Sequence, residues 1–326
     1  MATPEQAQNS RETRLWYWLL FESPLSTLRA KRCLSRWLGQ GLSVSEALAI
    51  LPGGYQALGL TREEARQLDP PPSLPDVHAL RWNDPHYPDG LRELPLKRRP
   101  ALLFVRGNPG LLARPIVTFI PGKPDDAEMA MLREAMSVLL GEDLLLAALA
   151  GSVQAALLLE EMAYSDGEIL LIPTAGLDQY RPSEMETRTL NAGRLVLATP
   201  LPPAMPADPR LEPLLQQILS AASARRILGA ASDGYDAGEP PRPTLALTPD
   251  PLSVAESPHL QFTDNASDVL LWVQHPDQDL RSGPLSSVQA DEAEASPLSP
   301  EQTLNLLEQG GDVPPALRAR LTETED

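Results

Sequence analysis

Lys123 closes the triplet Pro121-Gly122-Lys123, which lies between the apolar run Ile116–Ile120 and a helical pattern over residues 127–140. A strand, a tight turn and a helix in that order can hold an anion. Gly122 lets a phosphate approach the backbone, the helix N-terminus attracts negative charge, and the Lys123 ammonium pairs with it. The same turn carries opposing features. Pro121 has no amide hydrogen to donate, and Asp125 and Asp126 add carboxylates. The triplet matches neither the Walker pattern nor Gly-x-Gly-x-x-Gly, so a plain strand-to-helix turn is the competing reading. Catalytic constellations are missing elsewhere. Glu160 and Glu161 are adjacent in a helical stretch and diverge, which is poor geometry for paired acid–base work. His78, His86, His259 and His275 lie in loop-like contexts without metal-ligand spacing, and there is neither a nucleophile elbow nor an HExxH motif. These residues predict no enzyme activity, no metal site and no cofactor. The single cysteine, Cys33, excludes an internal disulfide. Basic neighbours favour a lowered thiol pKa, whereas a small packed side chain is the plainer reading. Trp16, Tyr17 and Trp18 are base-stacking residues in one reading and core residues in the other.

The elements that must position these groups follow from periodicity and punctuation. Residues 1–11 read as a frayed polar start. Leu15, Trp16, Leu19 and Leu20 recur at helical spacing. Further helices are predicted over residues 26–38, from Ser43-Val-Ser-Glu46 to a stop at Pro52-Gly-Gly54, and after Thr61. Residues 1–70 therefore read as a small helical domain of the SAM or helix-hairpin-helix type, and residues 71–82, with prolines at 70–72, as a stiff linker. From residue 83 to 275 buried strands alternate with helices: strands at 101–105, 116–120, 144–149, 168–172 and 195–198, helices at 127–140, 152–164, 181–192 and 211–223. Weaker patterns follow at 227–228, 243–247 and 266–273. This alternation predicts an α/β fold with a Rossmann-like parallel sheet and helices on both faces. Residues 276–326 are acidic and rich in Ser and Pro and read as a largely disordered tail, with short helices at 300–309 and 314–321.

The chain has 326 residues and a formal net charge of -17. That balance argues against a general nucleic-acid binder, but the charge is uneven. Arg29, Lys31, Arg32 and Arg36 cluster early, and Lys97, Arg98, Arg99 and Arg106 cluster again, so a local basic face fits inside an acidic total. Solvated charge on helix and loop surfaces is the bland alternative. The N-terminus lacks signal-peptide character and the apolar runs are too short to span a bilayer, so a cytoplasmic protein without membrane contact is expected.

One stretch carries a family resemblance. Tyr87-Pro88, Leu91, Leu94, Pro100 and Leu103-Phe-Val-Arg-Gly107 lead in. Gly176-Leu-Asp-Gln-Tyr180 with Pro182, and Gly193-Arg-Leu-Val-Leu-Ala-Thr-Pro200, follow. Together they resemble the DprA/Smf family of DNA-processing proteins, over roughly residues 12–230 with an echo at 259–273. The resemblance implies an extended Rossmann fold, binding of single-stranded DNA, a RecA-like recombinase as protein partner in natural transformation, and a homodimer. It also shows departures. The family's Gly-Ser-Arg turn reads Pro121-Gly122-Lys123, its Ser-Gly-x-Ala-x-Gly-Ile-Asp loop reads Ala147-Ala-Leu-Ala-Gly-Ser-Val-Gln154, and its Arg-Asn-Arg reads Leu215-Gln216-Gln217. Lysine is a poorer bidentate phosphate partner than arginine. On this reading Lys123, Gly122, Arg106 and Arg99 meet phosphates, while Gln154, Gln216 and Gln217 hydrogen-bond without counter-charge. Two alternatives stand beside it. One is a degenerate member acting only through protein contacts. The other is a small-nucleotide sensor or hydrolase similar to cytokinin-releasing phosphoribohydrolases, whose Pro-Gly-Gly-x-Gly-Thr motif has no counterpart in the core; Pro52-Gly-Gly54 lies in the helical part.

Overall fold

Good helix formers at Glu5, Gln6, Ala7 and Gln8 extend the first helix back through the polar stretch, and α1 spans Pro4–Phe21. The expectation of a frayed start to residue 11 is corrected here: a proline in the first turn gives up an amide that has no helical partner anyway. The structure is a computed structural model and describes residues 4–120, 124–228, 242–247, 260–263 and 265–275. The acidic stretch from residue 276, with its two expected helices, lies outside the described residues. Helix α2 (Thr27–Gly39) is capped by Ser26 and buries Ala30, Cys33, Leu34 and Trp37, the i, i+3, i+4, i+7 stripe of a one-sided helix. Helix α3 (Val44–Gly54) opens with a capping box of Ser43 and Glu46. Pro52 does not end it. It sits in the last turn, where one lost amide bond weakens the helix end without stopping it. Helix α4 (Arg62–Gln67) has a second capping box, Thr61 with Glu64. The buried Glu12 carboxylate joins α1 to α3, accepting from the amides of Val44 (2.5 Å) and Ser45 (3.3 Å) at the positive end of the helix.

The sheet has nine strands: β1 (Ala79–Arg81), β2 (Leu102–Gly107), β3 (Ile116–Ile120), β4 (Leu145–Leu149), β5 (Glu168–Ile172), β6 (Leu195–Thr199), β7 (Arg225–Leu228), β8 (Thr244–Leu247) and β9 (Leu260–Thr263). Their spatial order is β1-β2-β6-β5-β4-β3-β7-β8-β9. Strands β3 to β9 are parallel, and β4 and β6 are buried along their whole length, as a sheet covered on both faces requires. The helices between and around them are α5 (Asp89–Arg92), α6 (Asp126–Leu139), α7 (Val153–Glu161), α8 (Glu184–Asn191), α9 (Glu212–Ala222) and α10 (Ser267–Gln274). From β3 the chain moves one way through β4, β5 and β6, then returns through α9 to place β7 on the opposite side. Right-handed crossovers in opposite directions put α6 and α9 on opposite faces. Helix α6 packs with α7 and α10, and α9 packs with α5.

Two strands depart from the parallel expectation. β2 runs antiparallel to β6 and β1 antiparallel to β2. Only residues 108–115 link β2 to β3, fewer than the dozen or more that a parallel crossover takes. β1 falls inside the stretch read as a linker. Its three residues are too few to show an alternating pattern, and pairing with β2 holds them. The N-terminal helices meet this edge of the sheet through aromatic rings. Trp16 and Trp82 form a T-shaped pair with centroids 5.3 Å apart, and Tyr17 meets Phe104 edge-on at 6.0 Å. Trp16 and Trp18 are buried, so they serve the core.

Candidate functional site

In a sheet of this order the topological switch lies at β3, with β4 on one side and β7 on the other, and ligands of such sheets bind beyond the carboxyl ends of the strands there. Gly122 and Lys123 fall between β3 and α6 in the sequence and lie outside the described residues. The residues that follow them open α6. Asp125 caps α6, accepting from the Glu128 amide at 2.9 Å, while the buried Glu128 carboxylate accepts from the Asp125 amide at 3.0 Å. Two carboxylates thus take amides that an incoming anion would use. At the neighbouring turn Ser152 caps α7, accepting from the Ala155 amide at 3.1 Å and donating to the Leu149 carbonyl at 2.8 Å. Gln154, in the first turn of α7, is 1% exposed, and neither end of its carboxamide has a hydrogen-bond partner among the described residues. Gln216 and Gln217 lie on α9, where Gln216 reaches the Glu212 carboxylate at 3.5 Å and Gln217 is exposed. Beneath the switch the buried Ser223 hydroxyl donates to the Leu219 carbonyl at 2.7 Å, so the Thr118 hydroxyl is the donor in the Thr118–Ser223 contact.

Arg106 is elsewhere. It lies on β2, four strand steps from β3, on the order of 20 Å across the sheet at the usual strand spacing. Its guanidinium donates to the Leu177 carbonyl. Here a cavity of about 480 Å³ opens between β1, β2 and the loop after β5, lined by Asp76, His78, Phe104, Arg106 and Asp178 among others. Its lining mixes charges of both signs. The motif Gly176-Leu-Asp-Gln-Tyr180 builds one wall. A side chain at Gly176 would meet the carbonyl oxygens of Pro202 at 2.0 Å and Pro203 at 2.4 Å, so only glycine lets the two loops close. The Asp178 amide donates to the Pro203 carbonyl at 3.0 Å. The Tyr180 hydroxyl donates to Glu186 at 2.6 Å, and burial with this bond pushes its pKa up. Gly107, the end of the other motif, has φ 104° and no room for a Cβ against the Leu195 carbonyl. Both motifs are thus held by backbone geometry. Burial, with the carboxylates of Glu22 and Asp178, raises the pKa of Tyr17.

Arg99 marks a third place. Its guanidinium donates twice to the Leu94 carbonyl, at 3.1 and 3.0 Å, and lies 5.7 Å from the centre of the Trp82 ring. Lys31 of α2 donates to the carbonyls of Arg99 (2.6 Å) and Lys97 (3.3 Å). Basic clusters separated by more than sixty residues are joined this way, which spacing alone did not reveal. Cys33 is buried beside them, and desolvation raises its thiol pKa despite Arg29 and Arg36 nearby, against the reading of a lowered value. The described residues among the expected phosphate contacts, Arg106 and Arg99, therefore fall at two separate places: the β1–β2 edge and the contact of α2 with the 95–99 turn. Among the described residues no group of three or more His, Cys, Asp or Glu is placed to hold a metal ion, and no helix is long and apolar enough to cross a membrane.

No protein-family profile matches the sequence, and no curated protein matches it. The solved structures are more informative. The X-ray structure of DNA processing protein A (DprA) from Streptococcus pneumoniae aligns with a TM-score of 0.58 at 17% identity, over 79% of this chain and 97% of that one. This chain has the fold of that DprA. The DprA of Helicobacter pylori, whose structure describes a single-stranded DNA binding mode, aligns with a TM-score of 0.46 at 16% identity, over 60% of this chain and 95% of that one.

Proposed function

We propose that the chain is a DprA-like DNA-processing protein that binds single-stranded DNA and catalyses no reaction on it. The observation that carries this reading is the agreement of two likenesses. The sequence motifs between Tyr87 and Pro200 resemble the DprA/Smf family, and the fold aligns with 97% of the pneumococcal DprA chain. On this reading Lys123 and Gly122 meet phosphate at the switch point, and a RecA-like recombinase and a second copy of the chain are its protein partners. Titration of a labelled oligonucleotide into the full chain, followed by fluorescence anisotropy at two salt concentrations, tests it. Saturable binding that weakens with salt is expected, and absence of binding at micromolar protein in low salt removes the reading.

A second reading, action through protein contacts alone, is favoured by the state of the α6 N-terminus. Asp125 and Glu128 already occupy its amides, and Gln154, Gln216 and Gln217 bring no counter-charge. A pulldown that retains a recombinase while the oligonucleotide titration stays flat selects this reading over the first.

A further inference from the structure

Helix α2 and the turn at residues 95–99 form one surface. The amides of Arg98 and Arg99 both donate to the Pro95 carbonyl, at 2.8 and 2.9 Å, which closes the turn. Lys31 then staples it to α2 through the carbonyls of Lys97 and Arg99. The result sets Lys31, which Arg32 follows on α2, against the turn that carries Lys97, Arg98 and Arg99. Arg32 and Lys97 are exposed, Lys31 and Arg99 half-buried.

The partners of these cations are informative. Acids are common in this chain, 44 Asp and Glu against 27 Lys and Arg, and elsewhere they pair directly with several arginines. Arg29, on the other flank of α2, holds Glu64 at 2.7 Å, and Arg81, Arg92 and Arg114 each hold a carboxylate. At the junction, as at Arg106 and Arg194, neutral carbonyls take that place. The hydrogen bonds of the Lys31 ammonium go to neutral carbonyls, and so do those of the Arg99 guanidinium. Among the described residues no carboxylate lies within ion-pair distance of Lys31, Arg32, Lys97 or Arg99. Burial and the charge of Arg99 together lower the Lys31 pKa, so two cations repel each other where neither gains a counter-ion. Gathering like charges at a half-buried contact costs free energy that a purely structural turn has no reason to incur.

We infer that this junction of α2 and the 95–99 turn is a phosphodiester-binding surface, and that Arg32 and Lys97 there contact the backbone of the single-stranded DNA. The inference rests on the proposed DNA-binding function and gives it a location apart from the switch point. Arg32 supplies a fork suited to bidentate phosphate contact and Lys97 a mobile point charge. Lys31 and Arg99 shape the turn and add to its positive potential.

The test uses the full chain and a labelled oligo(dT), with anisotropy measured across a salt series for the wild type, Arg32→Ala/Lys97→Ala and Arg32→Glu/Lys97→Glu. Neither side chain is buried, so unchanged circular dichroism and melting temperature are expected for both variants. Each single-strand phosphate contact contributes about 0.7 to the slope of log K against log salt concentration, so the alanine pair should flatten it by about 1.4. Affinity in low salt should fall on the order of tenfold, and further for the glutamate pair. If the wild type binds and both variants keep its slope and affinity, the inference is overturned while the DNA-binding function stands. If the wild type does not bind, both fall. Polyglutamate is the second probe. Displacement of the oligonucleotide from the wild type by polyglutamate at equal charge concentration assigns the surface to an acidic protein and overturns the inference.

Discussion

Gln154 and Gly176 show how differently two buried positions can be used. The Gln154 carboxamide is buried without a hydrogen bond among the described residues, and such a group carries a desolvation cost of about 1–3 kcal/mol. Gln154→Leu, similar in size and free of that cost, should stabilise the protein by about 1 kcal/mol and raise Tm by about 2–4 °C in a thermal melt. A fall in Tm would mean that the carboxamide is satisfied in solution. Gly176 makes the opposite case, because backbone carbonyls rather than flexible side chains fill the space of its missing Cβ. Gly176→Ala should destabilise by about 3 kcal/mol, the upper range for overpacking, read as a lower urea midpoint. At this scale the sequence was only partly legible. The motif glycine stood out, and its reason, the carbonyls of Pro202 and Pro203, comes from a loop more than twenty residues away. The Glu12 carboxylate that caps α3 had no local signal either, because its partners Val44 and Ser45 lie on another helix.

Capping residues and apolar runs made the elements the most readable level. Ser43 with Glu46 and Thr61 with Glu64 announced helix starts that the structure contains. The near-continuous apolar runs of β3, β4 and β6 announced buried strands. Short or antiparallel pieces were less legible: β1 is too brief for a pattern, and the direction of β2 depends on a pairing with β6 some ninety residues away. One capping residue also links elements. Glu64 accepts both Nε and Nη2 of Arg29, and these bonds, with the Thr61 amide, hold its pKa down to about 2, below its ordinary 4.5. A lowered folded-state value means stability that is complete above about pH 4.5 and is lost as the pH falls toward 2. Glu64→Gln retains the capping geometry and removes the ion pair. Because the pair is partly exposed, the loss at neutral pH should be about 1 kcal/mol or less. The variant's urea midpoint should also depend less on pH between 4.5 and 2 than the wild type's; equal slopes would contradict the assignment.

For the whole molecule, the charge total and the proposed function point in different directions, and the distribution of charge reconciles them. A net charge of -17 opposes contact with a polyanion at long range. The Debye length near physiological salt is about 8 Å, so a local cationic surface acts at contact almost independently of distant acids. Composition reports the total and not the grouping. The junction of α2 with the 95–99 turn became visible only when the fold brought Lys31 to Lys97 and Arg99. The α/β class and the strand alternation could be read from sequence because they follow from local periodicity and crossover handedness, whereas the switch point needed the strand order. The most direct measurement of the central claim is the anisotropy of a labelled single-stranded oligonucleotide titrated with the intact chain in low and in moderate salt. A DprA-like DNA-binding protein predicts saturation at micromolar protein or below, with affinity falling as salt rises. A flat trace at micromolar protein in low salt contradicts it.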